Sequence, residues 1–169
     1  MHIVKSLLVG SLGAWMLVAV ISDTALAASV EEEIKALLLQ YYAAISNADL
    51  TFIDTITSQN PEVTLLGTDP SEVIIGHANV VQFWQDLFAG LGGGLTTVPG
   101  AGSPDVITSD GGVAWLMDTQ SQWRLPGPGS QGGDQPFRLT AVLQKVGNRW
   151  RLIQQHYSIG VPNDLLPFP

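Results

Sequence analysis

Between Val113 and Val161 the chain carries three long β-prone runs, 113–125, 136–146 and 149–161, with nothing between them but turn chemistry. Runs of that length need a partner strand, and turns leave each run beside its neighbour, so the C-terminal part must be an antiparallel sheet. Asp110-Gly111-Gly112 and Gly147-Asn148 supply hairpin turns, and Pro126 to Gly133 reads as a longer hairpin tip rather than a domain linker. A shorter β-prone run at 105–108 precedes them. Helical periodicity is confined to the residues before 92, and helices segregated from strands predict an α+β domain, a curved sheet covered on one side by helices.

The helices announce themselves by their ends. Ser29 before Glu31, Glu32 and Glu33 places a capping hydroxyl and carboxylates where the helix dipole favours them. Ile34, Leu37, Leu38, Tyr41 and Ile45 then recur at helical spacing, which predicts a helix over 30–46. Asp49 caps a short second helix carrying Leu50, Phe52, Ile53 and Ile56. Val63 to Leu66 and Glu72 to Ile75 form a hairpin around Gly67-Thr68-Asp69-Pro70. A third helix follows Gly76, with Val80, Phe83, Trp84, Leu87, Phe88 and Leu91 on one face and Gly92-Gly93-Gly94 at its end. The Gly- and Pro-rich stretch 92–104 reads as a loop.

Composition narrows function by exclusion. The absence of cysteine removes disulfide scaffolds, thiolate metal sites and thiol catalysis. A net charge of −8 argues against nucleic acid, which needs clustered Lys and Arg. At the N-terminus, Lys5, the apolar stretch Leu7 to Ile21 and the small residues of Ala25-Leu26-Ala27 have the pattern of a signal peptide cut after Ala27. That stretch is shorter than the ~20 residues of a membrane span, so no stable span is expected after processing. The organisation expected is a leader at 1–27 and one domain at 28–169, placed in the periplasm or outside the cell.

The order of these elements resembles the SnoaL-like branch of the nuclear-transport-factor-2-like superfamily. The residues that carry the resemblance are Gly67-Thr68-Asp69-Pro70, Glu72 to Gly76 leading into the Phe83-Trp84 helix, and the ending Trp150 to Ser158. The resemblance covers 30–162. It implies a cone-shaped α+β barrel, a strongly curved, mostly antiparallel sheet wrapped round three helices with a pocket at the wide end. It implies members that are cyclases, isomerase-like enzymes or dehydratases, others without catalysis, and dimers formed through the open sheet face.

Period-two alternation assigns the candidate site. On the last strand it groups Trp150, Leu152, Gln154, His156 and Ser158 on one face. With Trp150 and Leu152 in the core, Gln154, His156 and Ser158 would give the pocket a polar mouth, and the resemblance favours that assignment. On 113–125 the same rule sends Trp115, Met117 and Trp123 towards the helices as apolar walls and turns Asp118 outward unless a bulge intervenes. Tyr41, Tyr42 and Trp84 bring aromatic rings to the core from the helices, either as packing or as ligand contacts. On 136–146, Arg138 falls opposite the apolar set. His77, at the start of the third helix, has no spacing pattern that would make a metal site with His156, and neither metal nor cofactor is expected.

Two readings of function follow. One is an exported pocket protein for an apolar or aromatic carbonyl compound, with isomerisation, cyclisation or dehydration as its possible chemistry. There His156 would move a proton, Tyr41 or Ser158 would steady an oxyanion, and Asp118 would be a minor candidate base. The alternative is a non-catalytic homodimeric or partner-binding module that uses an outer sheet face containing Ile153, Tyr157, Ile159 and Val142.

Overall fold

The computed structural model describes residues 29–125 and 133–160. The leader expected at 1–27, its cleavage point and most of the hairpin tip, 126–132, lie outside the described residues.

Helix α1 spans Val30–Ser46 and begins with a capping box. The Ser29 hydroxyl accepts from the Glu32 N–H at 3.2 Å, and the Glu32 carboxylate accepts from the Ser29 N–H at 2.8 Å. Helix α2, Leu50–Ile56, is capped by Asp49, whose carboxylate accepts from the Phe52 N–H at 3.0 Å. Helix α3, His77–Leu91, is entered through Gly76 at φ 95° and ends at Gly92 in the left-handed region, φ 69°. All three helices stand where the periodicity predicts them.

Six strands form one sheet. Their spatial order is β2 (Val73–Ile75), β1 (Thr64–Leu66), β9 (Arg149–Ser158), β8 (Arg138–Val146), β5 (Val113–Asp118) and β4 (Val106–Asp110). Neighbours run antiparallel except β1 and β9, which are parallel. A separate three-stranded sheet has the order β3 (Thr96–Val98), β6 (Gln122–Arg124), β7 (Asp134–Pro136). The expected α+β class with three helices holds, but the sheet is mixed and open: among the described residues β2 and β4 are edges with no strand joining them into a barrel. The stretch 92–104 is not all loop either, because Thr96–Val98 pairs with β6.

Two local events decide which side chains face the helices. The run 113–125 breaks after Asp118, whose Oδ1 accepts from the backbone N–H groups of Gln120, 3.0 Å, and Ser121, 3.2 Å. This is an Asx-type turn, and it carries the chain out of the large sheet and into the small one. On β5 the buried residues are Ala114, Leu116 and Asp118, while Trp115 and Met117 are 45% and 38% exposed on the outer face. The expected inward placement of Trp115 and Met117 is thereby corrected. Both parities of Val113 to Met117 are apolar, so hydrophobicity alone could not choose, and the smaller set packs against α1.

The second event lies on β9. Leu143 pairs with Leu152 but Val142 pairs with Gln154, leaving Ile153 without an opposite residue. A bulge of one residue exchanges the faces of everything beyond it. Trp150 and Leu152 are buried before the bulge; after it the buried residues are Gln155 and Tyr157. The core they help to close is largely aromatic, with Trp123 stacked on Phe137 at 4.4 Å and Trp84 set edge-on to both Tyr41 and Tyr157 at 6.1 Å.

Candidate functional site

A pocket of about 250 Å³ opens where α3 meets the end of β9 and the small sheet. Its walls are Phe83, Trp84 and Leu87 of α3, Trp123 of β6 and Tyr157 of β9. The β1–β2 turn contributes Gly67, Thr68 and Glu72 to the lining. Glycine suits position 67, since a Cβ there would lie 2.7 Å from the Glu72 Cβ. Among the described residues no basic side chain lines the pocket, and Glu72 is its one acidic residue.

Behind Tyr157 the interior becomes polar. The Tyr157 hydroxyl donates to the Tyr41 hydroxyl at 3.3 Å, and Tyr41 in turn donates to Gln155 Oε1. Burial raises the pKa of both phenols above the ordinary tyrosine value, with the adjacent Tyr157 adding to the effect at Tyr41. Both therefore stay protonated and act as hydrogen-bond donors at neutral pH. Among the described residues, three buried N–H donors have no partner: Trp84 Nε1, Trp123 Nε1 and Gln155 Nε2. A buried donor left unpaired costs about 1–3 kcal/mol; Trp84 and Trp123 also line the pocket, with their indole nitrogens closed to solvent.

A second polar cluster is built round Asp118, which is 0% exposed. Its Oδ2 accepts from the hydroxyls of Tyr42 at 2.6 Å, Ser103 at 2.5 Å and Ser121 at 2.5 Å, while Oδ1 takes the two turn N–H groups. Burial, followed by the nearby Tyr157 and Asp118, pushes the Tyr42 phenol well above its ordinary value. Donors from α1, the 103–104 loop and the β5–β6 turn converge on one carboxylate that does not line the pocket. The arrangement braces three segments; a general base needs a lone pair aimed at substrate, and here both oxygens are already occupied.

The family model described as a SnoaL-like domain matches residues 34–162. The chain belongs to the SnoaL-like family. No curated protein matches it. Among solved structures, a nuclear-transport-factor-2-like superfamily protein from Salmonella enterica superposes on this SnoaL-like chain with a TM-score of 0.68 at 19% identity, covering 82% of this chain and 96% of that one. A candidate dehydratase of the same superfamily from Streptomyces avermitilis has a TM-score of 0.62 at 15% identity over 78% and 96%. A candidate calcium/calmodulin-dependent protein kinase II association domain from Xanthomonas campestris has 0.61 at 18% over 81% and 91%. At these identities the likeness is one of fold.

In this SnoaL-like domain the predicted site residues divide between the two sides of the sheet. Trp84 and Trp123 line the pocket, Tyr41 lies behind it, and Tyr42 binds Asp118. Asp118 points inward, opposite to its predicted parity, because it ends β5 on the buried face. His156 is exposed on the outer face opposite Thr140 and Leu66, and Gln154 and Ser158 share that face; the Ile153 bulge is the reason. Trp115 and Met117 lie there too. Arg138 is outward as expected, opposite Ser158. His77 makes a local cluster, Nε2 lying 2.8 Å from Asp54 Oδ1 and Nδ1 3.1 Å from the Ser58 carbonyl.

Three interior residues were missed: Gln155, Tyr157 and Ser121. The polar run Asp118-Thr119-Gln120-Ser121 carries a turn signal that could have revealed Ser121. Nothing local marks the bulge at Ile153.

Proposed function

We propose that this protein is an exported binding protein for a compact, neutral carbonyl compound with an apolar or aromatic body, held in the pocket between Trp84, Trp123 and Tyr157. One observation carries the reading: the cavity has aromatic walls, Phe83, Trp84, Trp123 and Tyr157, with the neutral polar side chains of Thr68 and Gln135 among its lining. Such walls take an apolar or aromatic body, and Thr68 and Gln135 carry donors for a carbonyl oxygen. The volume, about 250 Å³, lies under the ~300–1,000 Å³ of pockets for drug-sized ligands, which favours a one- or two-ring compound over a steroid skeleton. Among the described residues an anion would meet Glu72 and no basic side chain.

Binding without turnover fits this geometry better than proton transfer. His156 is across the sheet from the pocket, Asp118 is fully engaged, and the Tyr157 and Tyr41 phenols are held protonated by burial. A decisive experiment compares acetophenone with ethylbenzene by thermal shift on the purified protein. The ketone should raise the melting temperature by linkage, and Trp123→Phe should weaken that effect. Equal shifts for ketone and hydrocarbon, or none for either, would overturn the reading.

A second reading, self-association, is favoured by a different observation. Val73, Ile75, Trp115 and Met117 are 58%, 54%, 45% and 38% exposed, and register places all four on the outer face of the large sheet. A second copy seated on that face would cover them. Of the outer-face residues expected from sequence, Tyr157 is buried instead and Ile159 lines the pocket.

A further inference from the structure

We propose that the groove between α1, α2 and the start of β9 is a second ligand site, and that it takes an organic carboxylate on an apolar body. The groove has a volume of about 420 Å³ and shares no lining residue with the Trp84 pocket, so the proposal stands apart from the reading above. Its apolar surface is Leu37 of α1, Phe52 and Ile56 of α2, and Trp150 of β9. Arg149 and Arg151 flank Trp150 along the strand and also line the groove.

The charges of this region are unequally committed. Arg124 is paired with Asp134 at 2.8 Å and Lys145 with Glu33 at 3.1 Å. Among the described residues, Arg149 and Arg151 have no carboxylate within ion-pair distance. In a chain of net charge −8, two uncompensated guanidiniums beside one groove reverse the local sign. Among the described residues Glu33 is the groove's only carboxylate, and it is neutralised in place, accepting from Lys145 Nζ at 3.1 Å and from Trp150 Nε1 at 2.9 Å.

Both arginines contribute to the groove's lining and stand about 7 Å apart along the strand, within reach of one anionic head. A guanidinium presents two parallel N–H groups that match the two oxygens of a carboxylate, a geometry a point charge does not offer. Gln40, Thr55 and Asn148 add neutral hydrogen-bonding groups to the lining. An alkyl or aryl tail along Leu37, Phe52 and Ile56 would gain from leaving water, and the head would stay at the two arginines. Neither half alone fits the groove: a bare anion leaves the apolar surface wet, and a neutral tail leaves the guanidiniums unused.

The test titrates the purified protein with octanoate, octanol and inorganic sulfate at low salt, following the two-dimensional amide NMR spectrum. Octanoate should move the signals of Leu37, Phe52 and Asn148 to Arg151 and leave the Trp84 and Trp123 indole signals in place. Arg149→Gln/Arg151→Gln should weaken octanoate by about tenfold or more, since the charge-assisted hydrogen bonds to its head are lost, while octanol binding stays as weak as before. Both side chains are on the surface, so an otherwise unchanged spectrum certifies the variant's fold. Shifts at the indoles instead, equal octanoate affinity in the double variant, sulfate binding as tight as octanoate, or no saturation would each overturn the proposal.

Discussion

The Tyr42 hydroxyl donates to Asp118 Oδ2 across 2.6 Å, joining the middle of α1 to the last residue of β5. Ser103 and Ser121 donate to the same oxygen, so removing either the phenol or the carboxylate has different consequences. Tyr42→Phe takes one donor away from a carboxylate that keeps four, and should cost about 1–3 kcal/mol. Asp118→Ala strands three buried hydroxyls at once and should cost more, about 3–5 kcal/mol. Urea unfolding of the two variants checks the order; equal losses would mean that the network is not centred on Asp118.

Deletion of Ile153 removes the residue that β8 leaves unpaired. The chain would then run from Leu152 straight to Gln154, which already pairs with Val142, so regular alternation keeps Gln155 and Tyr157 inward and His156 outward. The expected outcome is a retained near-ultraviolet circular dichroism spectrum of the aromatic core and a cooperative thermal transition; loss of both would mean that facing on β9 does not follow this register. Ile153→Val keeps the bulge and should cost no more than about 0.5–1.5 kcal/mol.

The outer face predicts an oligomer that a charge can dissolve. Trp115→Glu places a carboxylate among Met117, Val142 and Thr108, its neighbours by register. Sedimentation velocity should show a dimer for the parent chain and a monomer for the variant, with melting temperature little changed because Trp115 packs in no core. A monomeric parent chain would remove the assembly reading and leave the pocket reading untouched.

Acid should weaken the fold through its surface carboxylates. Hydrogen bonds hold four of them below their ordinary pKa: Glu33 from Trp150 and then Lys145, Asp69 from Ser71, Asp105 from Gln120 and Thr119, and Asp134 from Arg124. A pKa lowered on folding means that the unfolded chain binds more protons, so this contribution is present at neutral pH and is lost as pH falls through about 4 and below. Each pair is exposed and individually weak, and Glu33→Gln should make the acid limb of the stability curve shallower. On the alkaline side the buried phenols act in the opposite sense, their contribution being lost as pH rises above about 10. Chemical denaturation across pH measures both limbs.

Helix positions were legible to the residue because their signals are local. The Ser29 cap, the Asp49 cap and the glycines at 76 and 92 act within one turn, and an apolar stripe of period 3.6 has only one side to bury. The hairpins were legible for the same reason, since a turn is chosen by the residues that make it. The site was less so. Trp84, Trp123 and the two tyrosines were recognised as interior aromatics, yet alternation sent His156 inside and Asp118 outside, the reverse of their places.

Alternation is a relative rule: it orders the residues of a strand into two sets and leaves the choice of set to whatever the strand packs against. On β5 both sets were apolar, and contact with α1 chose Ala114 and Leu116 over Trp115 and Met117. On β9 the choice was reversed part-way along by the pairing of β8 with β9, a long-range register that leaves no mark on Ile153 itself. The sequence by itself therefore determined the class, the helices and the turns, where each interaction joins residues a few positions apart. The tertiary structure decided which residues meet at the pocket and which remain on the outer face, because facing depends on partners brought together from distant parts of the chain.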